Sequence, residues 1–158
     1  MVVSSARVLV HDVLLRVERE GAYAQRILQA TLRRTEMSQQ DIDYVWFLVF
    51  GVLRHIRQID FIMQQFIKKR AHKLPVDVLI ILRMAIFELC YGHNAAHGVV
   101  HPAVQLCKNK HRVLAGLLNG TLRAIARAVE SQTLPRARDV YQDPLRAMAI
   151  EGNMPDKV

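Results

Sequence analysis

Between Ile42 and Phe66 the apolar residues Ile42, Val45, Trp46, Val49, Val52, Leu53, Ile56, Ile59, Met63 and Phe66 recur every three or four positions. That spacing sets them along one side of an α-helix, whereas a strand would need every second position. The continuous apolar stretch inside the segment, residues 44–53, is about half the ~20 residues that a membrane-spanning helix requires. The pattern therefore predicts one long helix or two consecutive ones in a water-soluble core. Gly51 within it admits a close neighbour, at ~1 kcal/mol of helix propensity relative to alanine.

The same period governs the rest of the chain. Residues 5–19 carry Val8, Val10, Val13, Leu14 and Val17 with charges between them, an amphipathic helix that Ser4 or Ser5 can cap. GAY at 21–23 punctuates, and a second helix follows with Ile27, Leu28 and Leu32 opposite Arg26, Arg33 and Arg34. Ser38 stands three residues before Asp41, a start signal for the third. Pro75 opens a helix that runs to about Tyr91 and stops at Gly92; its apolar residues, Val78 to Leu89, cover most of its circumference, which places it at the centre. HNAAHG at 93–98 reads as a loop, residues 99–108 as a short helix with Pro102 in its first turns, and residues 112–128 as a last core helix with Val113, Leu114, Leu117, Leu118, Leu122 and Ile125. Hydrophobic residues make up 51% and aromatics only 6%. Such a mix suits helix-on-helix packing, so the fold class is all-α. Residues 1–130 form one domain, and residues 131–158, with three prolines, an appendage holding one short helix capped at Asp143-Pro144.

Lys and Arg number 22 against 14 Asp and Glu, a formal charge of +8. A chain so charged favours polyanions, nucleic acid first and an anionic membrane surface second. Cys90 and Cys107 form no C-x-x-C pair, so neither a disulfide framework nor a zinc knuckle is expected, and the compartment is a reducing cytoplasm. The first twenty residues lack a basic leader ahead of an apolar run, as a signal peptide would need. His93, His97 and His101 stand four apart, but Asn94, Gly98 and Pro102 interrupt them and no carboxylate or cysteine is interleaved, so no metal is expected. Neither G-x-G-x-x-G nor G-x-x-x-x-G-K occurs, which leaves no nucleotide cofactor site. The basic residues gather at Arg7 with His11, at 54–57, at 68–73 and at 108–112.

Four blocks carry a resemblance: LVFGVLRHIRQID at 48–60, LRMAIFEL at 82–89, AAHGVVHPAVQLCK at 95–108 and AGLLNGTLRAIAR at 115–127. In this order and spacing they resemble the NusB-like family, and GAYA at 21–24 with FGVLR at 50–54 is closest to the amino-terminal domain of the RsmB (Fmu, Sun) ribosomal RNA cytosine-5 methyltransferases. The resemblance implies a seven-helix fold of two small bundles that binds RNA. Its partner would be a methyltransferase domain, or, in the antitermination factors, the ribosomal protein NusE. Those factors have an arginine-rich run where this chain offers only Arg7, and acidic residues where it has Pro102 and Gln105. The methyltransferases' catalytic cysteines follow proline or threonine, whereas Cys90 and Cys107 follow leucine. The expectation is an RNA-binding domain without cofactor or catalysis of its own, monomeric or homodimeric, with a freestanding antitermination factor acting with NusE and a pure protein-interaction module as the rivals. Because the resemblance brings the first helix and the last two together, Arg7, Lys108, Lys110, Arg112 and Arg123 are the expected RNA contacts.

Overall fold

The computed structural model describes residues 3–21, 23–67, 73–140 and 144–151. Seven helices make the body: α1 Ser5–Glu20, α2 Ala24–Arg33, α3 Gln39–Arg54, α4 Ile56–Ile67, α5 Val76–Tyr91, α6 Ala96–His111 and α7 Ala115–Glu130, with a 3-10 turn Arg112–Leu114 between the last two. Two short helices, α8 Ala137–Val140 and α9 Pro144–Glu151, follow. The described residues contain no strand, in line with the all-α expectation. Most of the basic run at 68–73, and Asp143 of the expected cap, lie outside the described residues.

Local chemistry sets the helix ends. Ser4 Oγ accepts from the Arg7 amide at 3.3 Å and starts α1, which Gly21 ends in the left-handed conformation at φ 64 with its N–H on the Val17 carbonyl. Ser38 Oγ accepts from the Asp41 amide at 3.1 Å, as the S-x-x-D pattern predicts. The segment 42–66 resolves into two helices that break at His55, whose φ of −107 and ψ of 20 leave the helical region.

α5 is the central element, packed against α1 and α3 on one side and α4, α6 and α7 on the other. Val78, Ile80, Ile81, Leu82, Met84, Ala85, Ile86 and Phe87 are all buried, so the whole circumference is in use. Helices α1–α3 form one bundle and α4, α6 and α7 the other, with α5 shared. The appendage docks on α4. Ala137 and Ala147 are buried there, and Glu151 accepts from the Arg138 amide at 2.8 Å.

Three sequence expectations are corrected. HNAAHG is only partly a loop, because α6 begins at Ala96 and Pro102 sits in its interior. An interior proline withdraws the amide that should bond the carbonyl four residues earlier, here Gly98, at a cost of ~3 kcal/mol. Arg7 Nη2 reaches across from α1 and donates to that Gly98 carbonyl at 3.3 Å, replacing the missing donor. Val113 is 94% exposed rather than in the core, because the 3-10 turn shifts the rotation before α7 begins. Val8 is partly exposed, leaving Leu9, Val10, Val13 and Leu14 as the buried face of α1.

Gly51 is a packing requirement. A Cβ there would lie 2.0 Å from Phe87 Cζ, and that ring is confined between Phe47 and Tyr91, at centroid distances of 5.1 and 5.2 Å. Gly51→Ala gains up to ~1 kcal/mol of helix propensity against an overpacking cost of ~1–3 kcal/mol. The variant is expected to melt a few degrees below the parent chain in a thermal unfolding scan; an unchanged or raised Tm would show that Phe87 moves aside freely.

Candidate nucleic-acid interface

Helices α6 and α7 run antiparallel, joined by the 3-10 turn, and leave a groove of about 240 Å³ between them. On α6 the side chains of His101, Gln105 and Lys108 follow a four-then-three spacing that puts them on one face. On α7 Gly116, Asn119 and Arg123 follow a three-then-four spacing and also share one face. Arg123 Nε donates to Asn119 Oδ1 at 3.0 Å, which fixes the amide so that its NH₂ group remains a donor. The groove lining contains no carboxylate. Leu118, Leu122 and Ile125 on the opposite face of α7 are buried, so the wall is rigid.

The five expected contact residues divide. Lys108 and Arg123 share the groove. Arg112 is exposed in the turn at its end, and Lys110 is exposed on the last turn of α6. Among the described residues none of these four has an acidic partner within ion-pair distance. Arg7 is different. Its side chain is 14% exposed and paired with Glu88, which is 1% exposed, and the guanidinium also lies 5.5 Å over the Tyr44 ring. The structure gives Arg7 a positioning role between α1, α5 and α6. Sequence reasoning set Gln105 aside as a departure and missed Asn119; the face they share with Lys108 and Arg123 was the signal.

His11 lies behind the same helices, fully buried, with Nε2 at 2.8 Å from the Asp77 carbonyl. A carbonyl only accepts, so Nε2 carries the proton, and Nδ1 is left buried with no hydrogen-bond partner. Burial lowers the pKa of His11, and the charge of Lys110 lowers it further. His55 shifts the same way, through burial and then Arg54. Both imidazoles hold a proton less tightly folded than unfolded, so their contribution is complete above the unfolded value of ~6.5 and is lost as pH falls below it. The expected outcome is a Tm that declines from about pH 7.5 to about pH 5, with a shallower decline in His11→Gln. A pH-independent Tm would contradict it.

Neither cysteine is an activated nucleophile. Burial pushes the Cys90 thiol up to about 12, and Cys107 rises for the same reason, with a smaller push from Asp77. His97 and His101 stack with ring centroids 5.7 Å apart, yet among the described residues no group of three or more His, Cys, Asp or Glu is placed to hold a metal ion. No helix among them is long and apolar enough to cross a membrane.

Comparison with known proteins agrees with the fold. The solved structure of T. maritima NusB superposes with a TM-score of 0.71 at 21% identity, over 86% of this chain and 95% of that one. The chain is 38% identical over 120 residues to the ribosomal RNA small subunit methyltransferase B of Thermus thermophilus, covering 76% of this chain and 29% of that protein. It is 32% identical over 101 residues to the transcription antitermination protein NusB of Acetivibrio thermocellus, covering 61% and 69%. The chain spans about a third of the length of the methyltransferase relatives it matches. The model of the NusB family matches residues 4–127, taking in α1 through most of α7. The chain belongs to the NusB family.

Proposed function

We propose that this chain is an RNA-binding domain whose contact surface is the groove between α6 and α7. The observation that carries the reading is the convergence of Lys108 and Arg123 on one carboxylate-free groove together with two side-chain amides. Lys108 and Arg123 take backbone phosphates, and the counterions they release supply most of the affinity. Gln105, Asn119 and His101 offer hydrogen bonds to sugars and base edges, and Arg112, exposed in the turn at the groove's end, adds positive charge there. Lys110 lies on the other side of α6 towards His11 and adds only to the general field. Arg7 holds α6 in place for the groove and touches no RNA. The relatives named as ribosomal RNA methyltransferases favour ribosomal RNA as the ligand, with a methyltransferase domain as the partner that performs the chemistry. Among the described residues no cluster is placed to hold a metal ion and neither cysteine is activated, which fits chemistry performed by the partner. A second reading, an antitermination factor acting with NusE, is favoured by the match that covers 69% of the Acetivibrio protein.

Titration of labelled ribosomal RNA fragments, followed by anisotropy, tests the proposal. Saturable binding that weakens as salt rises is the expected result. Absence of binding at low salt would leave a protein-interaction module, and tight complex formation with NusE would favour the second reading.

A further inference from the structure

The turn between α1 and α2 carries a feature that the groove does not use. Tyr23 is 76% exposed at the N-cap of α2. Its backbone is nonetheless fixed: its carbonyl accepts from the Ile27 amide at 3.1 Å, Ile27 and Leu28 anchor α2 in the core, and Gly21 makes the turn at positive φ. The Arg26 guanidinium lies 5.9 Å over the Tyr23 ring. These two residues, with Gln25 and Gln29, line an open groove of about 690 Å³ whose wall is Phe50. No carboxylate lines it. The acidic residues just ahead of the turn are bonded elsewhere, Glu18 to Arg83 and Glu20 to Arg16.

We infer that Tyr23 and Arg26 form a stacking platform for an unpaired base of single-stranded RNA, a site that shares no residue with the α6/α7 groove. A large aromatic ring carried into solvent on a fixed backbone offers a base a flat apolar face, and stacking of this kind tolerates any base because each has a π-face. Arg26, already over one face of the ring, neutralises the adjoining phosphate and leaves the other face for the base. Gln25 and Gln29 each bring an amide with both donors and an acceptor, fit for base edges. An acidic peptide would use Arg26 but gain nothing from the exposed ring face. A duplex, whose bases are already stacked, would not fit either. The inference rests on the RNA-binding reading above and adds the class of RNA and a second point of contact.

The test uses the full chain and a short labelled single-stranded RNA of mixed sequence. Tyr23→Ala, with an unchanged Tm because the ring is exposed, is expected to bind roughly ten-fold more weakly with the salt slope unaltered. Tyr23→Phe and Tyr23→Trp should bind as the parent does, since each keeps the ring. Arg26→Gln should reduce the slope of log K against log salt by ~0.7, one phosphate contact. Trp46, the single tryptophan, stacks on Phe50 at 5.2 Å, so occupancy of the platform should also change its emission, and the change should vanish in Tyr23→Ala. If Tyr23→Ala binds normally while Lys108→Glu/Arg123→Glu does not, the platform is refuted and the RNA reading stands. If the parent chain binds no RNA, both fail. A loss in Tyr23→Ala that is equal for duplex RNA, or that appears only with an acidic peptide, overturns the stacking assignment.

Discussion

The Arg7→Ala variant should lose ~3–5 kcal/mol of stability, the range found when one partner of a buried ion pair is removed, and in a chain of this size its Tm should fall by roughly 10 °C or more. Arg7 Nη1 and the Tyr44 hydroxyl both donate to Glu88 Oε1, the latter at 2.8 Å, and Asn94 Nδ2 donates to Oε2 at 3.2 Å. Burial, and then the charge of Glu88, push the Tyr44 phenol well above its ordinary range, so it stays a donor. Truncating Arg7 leaves the Glu88 carboxylate inside the core without a countercharge, and it also removes the donor that serves the Gly98 carbonyl beside Pro102. Two penalties thus arise from one substitution. Glu88→Gln combined with Arg7→Met removes both charges while keeping volume, and should recover a large part of the loss. Calorimetric or dichroism melts of the two single variants and the double variant measure the coupling. Additive losses would mean that Arg7 and Glu88 do not act as a pair.

The double charge reversal Lys108→Glu/Arg123→Glu should weaken RNA binding by a hundred-fold or more at low salt, since each reversal deletes a phosphate contact and adds a repulsive charge in the groove. Neither side chain has an acidic partner among the described residues, and Arg123 is exposed, so the melt should be almost unchanged. Arg7 is paired inside the protein, whereas the other four cations have no acidic partner among the described residues, although all five looked alike as sequence positions.

That difference marks what periodicity and composition could reach. α5 was legible because its apolar residues surround it, and the start of α3 because Ser38 and Asp41 stand at a capping distance. The break at His55 was not, since Leu53, Ile56 and Ile59 keep the helical step straight through it. The true start of α6 is hidden from sequence because a proline ordinarily marks a first turn; the compensating donor comes from Arg7, 91 positions away from Gly98. The partner of Arg7 lies 81 positions away, beyond any local pattern, although a single carboxylate among the apolar residues of 78–89 was a signal that something must satisfy it. In the groove, Lys108 and Arg123 were reachable because the resemblance sets the last two helices near each other, while Gln105 and Asn119 gained meaning only when α6 and α7 were laid side by side. Tyr23 read as turn punctuation, because exposure on a rigid backbone is a tertiary property.

Whether cations on the α6/α7 groove grip an RNA backbone, as proposed, is read from the salt dependence of binding. Affinity for a ribosomal RNA fragment should be measured by anisotropy between about 50 and 200 mM salt, for the parent chain and for Lys108→Glu/Arg123→Glu. Each phosphate contacted on a single strand contributes a slope of about −0.7 to log K against log salt. A slope steeper than about −1.4 is expected for the parent chain and a shallower one, at much lower affinity, for the variant. Equal slopes and equal affinities in the two proteins would contradict it.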